Sequence, residues 1–208
     1  EKGIMRPKRD ALEALAKALN ISGEYFAGTN LKIDIPMLRT TSDGELSKDE
    51  LQAIEAKLSF WAEQYLAKEK EAGFPTQFKN PIKGRKVSTL EDAIRAANLL
   101  REKWHCGDGP IASILRLLER KGIMILSASL PDNVFGMSTW ADKKHPLIIL
   151  DFNPEKSSVE KLRFTALHEL AHLLLQFPEE SQFKLEKRCD FFACFFLLPK
   201  QAFIEELG

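Results

Sequence analysis

The chain has 208 residues, of which 44% are hydrophobic and 29% charged, the balance of a globular fold with one large domain or two small ones. Its 30 basic and 30 acidic residues cancel, which argues against nucleic-acid binding through a general positive charge. No run of about 18 apolar residues predicts a membrane helix, and the first residues do not form a signal peptide. Three cysteines without a C-x-x-C pair indicate a reducing compartment, so we expect a cytoplasmic protein with no membrane partner. Cys189 and Cys194 are expected to be small core residues rather than ligands.

Residues 1–30 predict two short helical segments. Leu12, Leu15 and Ala16 share one helical face, and Ser22 can cap the turn that follows. The segment resembles the C-terminal part of an Xre-type helix-turn-helix domain in two sequence motifs, E-x-G-x-x-x-P and L-x-x-L-A-K-A-L-N-I-S-x-x-Y-F. In that family the recognition helix precedes these words, so the resemblance implies that DNA is bound only through a missing N-terminal part. The chain also begins without Met, which fits a fragment of a longer protein. An ordinary pair of capping helices is the alternative.

Residues 31–87 predict a connection between two domains. A short strand or extended segment at 31–38 precedes a loop, and Ser47 with Glu50 forms a capping box that begins a long helix. This helix, over residues 47–70, carries a narrow apolar seam of about two heptads. The seam consists of Leu51, Ile54, Leu58, Trp61 and Tyr65. We expect it to pack within the chain, with a homodimer through the same helix as the alternative. The Gly- and Pro-containing stretch that follows predicts a linker, and its basic residues are expected to be solvated rather than to contact DNA phosphates.

The second domain is predicted at residues 88–208. Two helices open it, and the apolar period then changes to that of short strands near 123–126, 135–140 and 145–150, the last two joined as a hairpin. Two further helices follow, the second of them unusually aromatic and therefore buried. We predict an α+β fold: a mostly helical domain with a small three-stranded sheet, preceded by a partial helical segment and a long linking helix.

The clearest chemical signal is an H-E-x-x-H word within the apolar run 164–175. On a helix, His168 and His172 project from one face, so two neutral ring nitrogens can meet one Zn²⁺. Glu169 lies beside that pair, where its carboxylate can take a proton from zinc-bound water. Because only 4 of the 208 residues are His, a random match has a chance of roughly 1%. A buried helix with two hydrogen-bonded histidines is the alternative.

A zinc site needs a third protein ligand, and no histidine follows at the spacing of the metzincins. The candidates are carboxylates of the last helix and its approach: Glu179, Glu180, Glu186 and Asp190. Glu186 is favoured because it stands on an otherwise apolar helix, where an unpaired carboxylate is costly. Asp190, four residues later, shares its face and could accept the other N–H of a ligating histidine. This is the spacing of the gluzincin peptidases. The alternative is a surface ion pair of Glu186 with Lys187 or Arg188.

Four sequence motifs of the second domain resemble those of the ImmA/IrrE family of metallopeptidases. They are D-G-P-I at 108–111, F-G-M-S at 135–138, R-F-T-x-x-H-E-L-x-H-L-L-L at 163–175 and E-x-x-C-D-x-F-A-x-x-x-L-x-P at 186–199. The resemblance covers about residues 88–205. It implies a zincin-like peptidase domain in which Zn²⁺ is held by His168, His172 and Glu186, Glu169 is the general base and Asp190 supports a ligand from behind.

The resemblance also implies a role in regulatory proteolysis. The expected substrate is a helix-turn-helix repressor or an antitoxin-like protein, as in phage or toxin–antitoxin systems, and the strand at 135–140 could offer an edge to an extended peptide. The alternative is a DNA-binding regulator or antitoxin whose zincin domain binds or senses and does not cleave. Changing Glu169 to Gln separates the two, since metal binding should survive and cleavage should not.

Overall fold

The structure is a computed structural model that describes residues 8–18, 31, 33, 48–73, 77–130, 134–179, 181–199 and 204. These residues contain six helices and three strands. The helices are α1 (Arg9–Ala18), α2 (Lys48–Glu71), α3 (Leu90–Trp104), α4 (Ile114–Arg120), α5 (Val159–Leu174) and α6 (Gln182–Leu197). The strands are β1 (Met124–Ser127), β2 (Gly136–Ala141) and β3 (His145–Leu150). The predicted α+β, mostly helical class is confirmed, and it is consistent with a zincin-like domain. Over these residues, no helix has the length and apolar character needed to cross a lipid bilayer.

The sheet is mixed, in the order β1-β3-β2. β2 and β3 form the predicted antiparallel hairpin, and its turn places Asp142 and Lys143 at φ values of 49° and 57°, the left-handed conformation that tight hairpin turns require. β1 pairs with β3 in parallel, with Met124 opposite Leu147. β3 is therefore the central strand and β2 an edge strand. The predicted strands agree with the observed ones to within one residue at each end.

Each face of the sheet packs against a different set of helices. Ile148 and Leu150 of β3 point into a core shared with α3, α5 and α6, whereas Leu147 and Ile149 point to the opposite face. That opposite face is covered by α2. The α2 residues in this second cluster are Ile54, Leu58, Ala62, Tyr65 and Leu66. The long linking helix thus packs within the chain. Trp61 was predicted to belong to the packed seam, and this prediction is wrong, because its side chain is 49% exposed. Ala62 makes the contact instead, since a straight helix of 3.6 residues per turn drifts away from a heptad seam.

Two of the helices around the site, α3 and α5, begin at side-chain caps. Thr89 caps α3 in a capping box with Asp92, and Ser158 caps α5 by accepting the N–H of Lys161. α6 packs against both α3 and α5. Its C-terminal end is tied to α3 by Arg101, whose guanidinium donates to the carbonyl of Phe196 at 2.6 Å. Burial lowers the pKa of Arg101. The two helices that carry the predicted metal ligands are therefore fixed side by side.

Some predictions lie outside the described residues. They include most of the helix-turn-helix words, the turn capped by Ser22, the cap Ser47 and the candidate Glu180. Within the N-terminal segment the structure describes α1, where Ala16 of the predicted apolar face is buried and Leu15 is 46% exposed. The domain boundaries after residues 30 and 87 stay predictions.

Candidate metal centre

The two histidines of the H-E-x-x-H word lie on the side of α5 that faces α6. The rest of α5 is held by the core, because Ala166, Leu170 and Leu174 are buried against the sheet and α3. His168 and His172 are only partly buried, with side-chain exposures of 14% and 19%. Their ring centroids are 5.0 Å apart, as expected for residues one helical turn apart.

Glu186 on α6 meets both histidines. Its Oε2 lies 2.9 Å from His168 Nε2 and 3.4 Å from His172 Nε2, and the two Nε2 atoms are 3.2 Å apart. Three donor atoms from two helices therefore surround one point. A tetrahedral zinc ion with bonds of about 2.0–2.2 Å separates its ligand atoms by about 3.3–3.6 Å, close to these distances. The donor set of two imidazoles and one carboxylate is also one that zinc accepts, so these residues fit the ion.

Two side chains on α6 orient this cluster from behind. Asp190 Oδ1 accepts the Nδ1–H of His168 at 2.8 Å, an arrangement that leaves Nε2 as the free lone pair. Gln182 donates from Nε2 to Glu186 Oε1, which leaves Oε2 for the histidines. Sequence reasoning found Asp190 but missed Gln182. Its signal is the spacing, because Gln182 stands four residues before Glu186 and so shares its helical face.

The electrostatics of the cluster favour a positive charge between the donors. Burial alone would lower the pKa of His168, but the hydrogen bond to Glu186 and the nearby carboxylates, including Glu169, outweigh burial and raise it. Burial alone would raise the pKa of Glu186, but its bonds to the two histidines hold it well below the usual range. An ionised carboxylate thus faces the ring nitrogens, and a proton or a metal ion can supply the positive charge that it needs.

Cys189 adds a thiol to the same neighbourhood. Its Sγ lies within 4.8 Å of a ring nitrogen of each histidine, and its side chain is fully buried in the core. Burial, together with the neighbouring carboxylates, raises the pKa of this thiol. The expectation of a core residue agrees with this burial, but the closeness to the histidines was missed; the signal is its position three residues after Glu186. For Cys194 the core expectation is wrong, because that side chain is exposed.

Glu169 lies beside the histidines, and its side chain faces the sheet. It is 3% exposed, and its Oε2 accepts a hydrogen bond of 2.7 Å from Ser138 Oγ on β2. Sequence reasoning missed Ser138, although it is the polar residue of the F-G-M-S word. The remaining candidate of the described residues, Glu179, is exposed in the turn before α6.

The fold and this cluster together define a zincin-like arrangement: a helix with two histidines, a second helix with a carboxylate, and a sheet edge beside them. Residues 118–208 match the family model Peptidase_M78, described as an IrrE N-terminal-like domain. This match covers the whole sheet, α5 and α6, and it supports both the ImmA/IrrE resemblance and a metallopeptidase-type function. No curated protein is significantly similar to the chain. The helix-turn-helix fusion and the identity of the metal stay predictions.

Proposed function

We propose that this protein is a zinc-dependent endopeptidase that acts in transcriptional regulation by cleaving a repressor or an antitoxin-like protein. The observation that carries the proposal is the convergence of His168 Nε2, His172 Nε2 and Glu186 Oε2 to within 3.4 Å of one another, with Glu169 next in the chain to the first of them. The family match over residues 118–208 supports the same class of reaction.

In this proposal the three converging side chains would hold the ion, and Asp190 and Gln182 would keep two of them in the orientation that ligation needs. Zinc, when bound there, supplies a Lewis acid that polarises a carbonyl group and makes water more acidic. Glu169 takes the proton of the attacking water at one carboxylate oxygen and later delivers it to the leaving amine. The rings of Phe164 and Phe177, with centroids 6.3 Å from that of His168 and 6.4 Å from that of His172, form apolar walls beside the ligands.

The peptide substrate is proposed to bind along β2. In the described part of the chain this strand pairs with β3 on one side, while its other edge meets a single isolated bridge, between Ile33 and Ala141. Residues 136–140 therefore present backbone groups to which an extended peptide could add. This edge lies next to Glu169, because Ser138 in the middle of it contacts the carboxylate.

The regulatory role is proposed from the resemblance to the ImmA/IrrE family and from the helix-turn-helix motifs of residues 1–30. In this proposal the protein is cytoplasmic, and it contacts DNA only through a missing N-terminal part. A second copy of the chain could bind the outer face of α2, where Trp61 is exposed.

One observation favours a second candidate, a DNA-binding regulator or antitoxin whose zincin domain binds or senses without cleaving. The Glu169 side chain is only 3% exposed, so water and substrate can reach its carboxylate only through the cluster of metal ligands. Such restricted access favours a site that binds without cleaving. Both candidates need bound metal, and they differ in whether a peptide bond is broken.

The test is to incubate the zinc-loaded protein with the repressor or toxin encoded by a neighbouring gene and to follow the products by mass spectrometry. The peptidase proposal expects a defined cut that disappears with a chelator and with Glu169→Gln, while the variant still binds zinc. Full biological effect of Glu169→Gln would refute cleavage as the function and support the sensing candidate.

A further inference from the structure

β2 presents a serine to α5 from an otherwise apolar surface. Along the strand, Met137 and Ala141 face the cluster under α2, so the alternating residues Gly136, Ser138 and Trp140 face α5. Trp140 packs on the core around α5, and Ile148, directly opposite Ser138 on β3, is fully buried in that core. A hydroxyl on such a surface costs free energy unless it is hydrogen-bonded, so its partner is informative.

That partner is the carboxylate of Glu169. Ser138 Oγ donates to Glu169 Oε2 over 2.7 Å, a distance typical of a hydroxyl that donates to a carboxylate. The donor stands on a strand that is paired with β3 along its whole length, and the acceptor stands on α5, so both ends of the bond belong to regular elements. A contact between regular elements holds its geometry better than one from a loop.

The geometry points to Ser138 as a positioning residue for the general base: it holds Oε2 of Glu169, so that the other oxygen, Oε1, receives the proton of the attacking water. This inference rests on the proposed peptidase function. The carboxylate of a glutamate can rotate about its Cγ–Cδ bond. Such a rotation exchanges the two oxygens or moves the oxygen that accepts the proton out of position. With one oxygen anchored, the other is kept in a single orientation. Ser138 itself touches neither the substrate carbonyl nor the metal ligands in this scheme.

Gly136 makes the bond from Ser138 possible. A Cβ atom at position 136 would lie 2.6 Å from Cγ2 of Thr165 on α5 and 3.1 Å from a side-chain atom of Leu150. Because Gly136 has no Cβ, β2 approaches α5 closely enough for the short side chain of Ser138 to reach Glu169. Thr165 and Glu169 lie one helical turn apart on α5, and Gly136 and Ser138 lie two residues apart on the same face of β2. The contact of Gly136 with Thr165 therefore lies beside the contact of Ser138 with Glu169.

The test compares Ser138→Ala and Ser138→Thr with the unaltered protein, all as the whole 208-residue chain and zinc-loaded, on one quenched fluorescent peptide that the unaltered protein cuts. Ser157→Ala is the matched control: Ser157 is also a buried serine near α5, and its hydroxyl has no hydrogen-bond partner among the described residues. We expect Ser138→Ala to lower kcat roughly 10- to 100-fold, as loss of a group that orients a functional side chain does. KM and the zinc content should stay unchanged, because the substrate and the ligands are untouched. Ser138→Thr, which keeps the hydroxyl, should restore most of kcat, and Ser157→Ala should match the unaltered protein.

A crystal structure of zinc-loaded Ser138→Ala gives a readout that does not depend on activity. We expect the Glu169 carboxylate to turn away from its original orientation or to occupy several. A carboxylate that stays in place, or a kcat within twofold of the unaltered protein, would overturn the role of Ser138 and leave the peptidase function standing. An equal loss in Ser138→Ala, Ser138→Thr and Ser157→Ala would indicate damage to the fold and would also overturn it. If the unaltered protein cleaves no faster than Glu169→Gln, the proposed function itself fails, and the role of Ser138 fails with it.

Discussion

Removal of the Asp190 carboxylate is expected to weaken zinc binding without removing a ligand. Asp190 Oδ1 accepts the Nδ1–H of His168 at 2.8 Å, which selects the tautomer whose Nε2 lone pair is free for the ion that the three side chains would hold. Loss of such a supporting carboxylate typically costs roughly 10- to 100-fold in metal affinity. The Asp190 side chain is 49% exposed, so solvent screens its charge and the lower end of that range applies. We therefore expect a loss of about tenfold, or about 1.4 kcal/mol, in Asp190→Ala, and a smaller loss in Asp190→Asn, which keeps an acceptor oxygen.

The assay is competition for zinc with a chromogenic chelator at pH 7.5, with Glu179→Gln as the control. Glu179 is exposed in the turn before α6 and was a candidate ligand by sequence, so its variant tests both the general loss of a negative charge and that discarded assignment. Affinity unchanged in Asp190→Ala, or weakened as much in Glu179→Gln, would refute the reasoning that His168 is a ligand oriented by Asp190.

Two further predictions concern stability. Gly136→Ala should lower the free energy of unfolding by roughly 1–3 kcal/mol, the usual cost of overpacking, because its Cβ would lie 2.6 Å from Thr165. The control is Gly109→Ala, whose Cβ would have nothing within 4 Å. In urea denaturation this control should change the free energy of unfolding by no more than about 0.5 kcal/mol. The second prediction concerns Asp151, where burial alone would raise the pKa, but hydrogen bonds from two backbone N–H groups and from Lys156 hold it below its usual value. This carboxylate therefore contributes stability above its unfolded pKa of about 3.9, and the contribution is lost as the pH falls through the lower folded pKa. Accordingly, the stability difference between the unaltered protein and Asp151→Asn should be constant from pH 7 to 5 and shrink below pH 4; a constant difference down to pH 3 would contradict it.

The part of the site that lies along single helices could be predicted from the sequence. His168 and His172, or Glu186 and Asp190, share a face because helical periodicity alone puts residues four apart on the same side. The three strands were also predictable, because their alternation and their apolar runs are local patterns.

Contacts between elements could not be predicted in the same way. The order β1-β3-β2 depends on long-range pairing, and the bond from Ser138 to Glu169 depends on how closely β2 approaches α5. The position of Cys189 near the histidines likewise depends on the packing of α6 against α5. On α2, a heptad pattern selected Trp61, whereas the real contact with the sheet follows the 3.6-residue period and uses Ala62.

The most direct test of the account is the rate of peptide cleavage by Glu169→Gln and by the unaltered protein at equal zinc occupancy. Zinc content is measured by atomic emission after gel filtration, and initial rates are measured on one quenched peptide that the unaltered protein cuts. We expect about one zinc ion per chain in both proteins and a fall in rate of roughly 10²- to 10⁴-fold in the variant, the contribution of a positioned general base. Equal rates in the two zinc-loaded proteins, or an unaltered protein that binds no zinc, would contradict it.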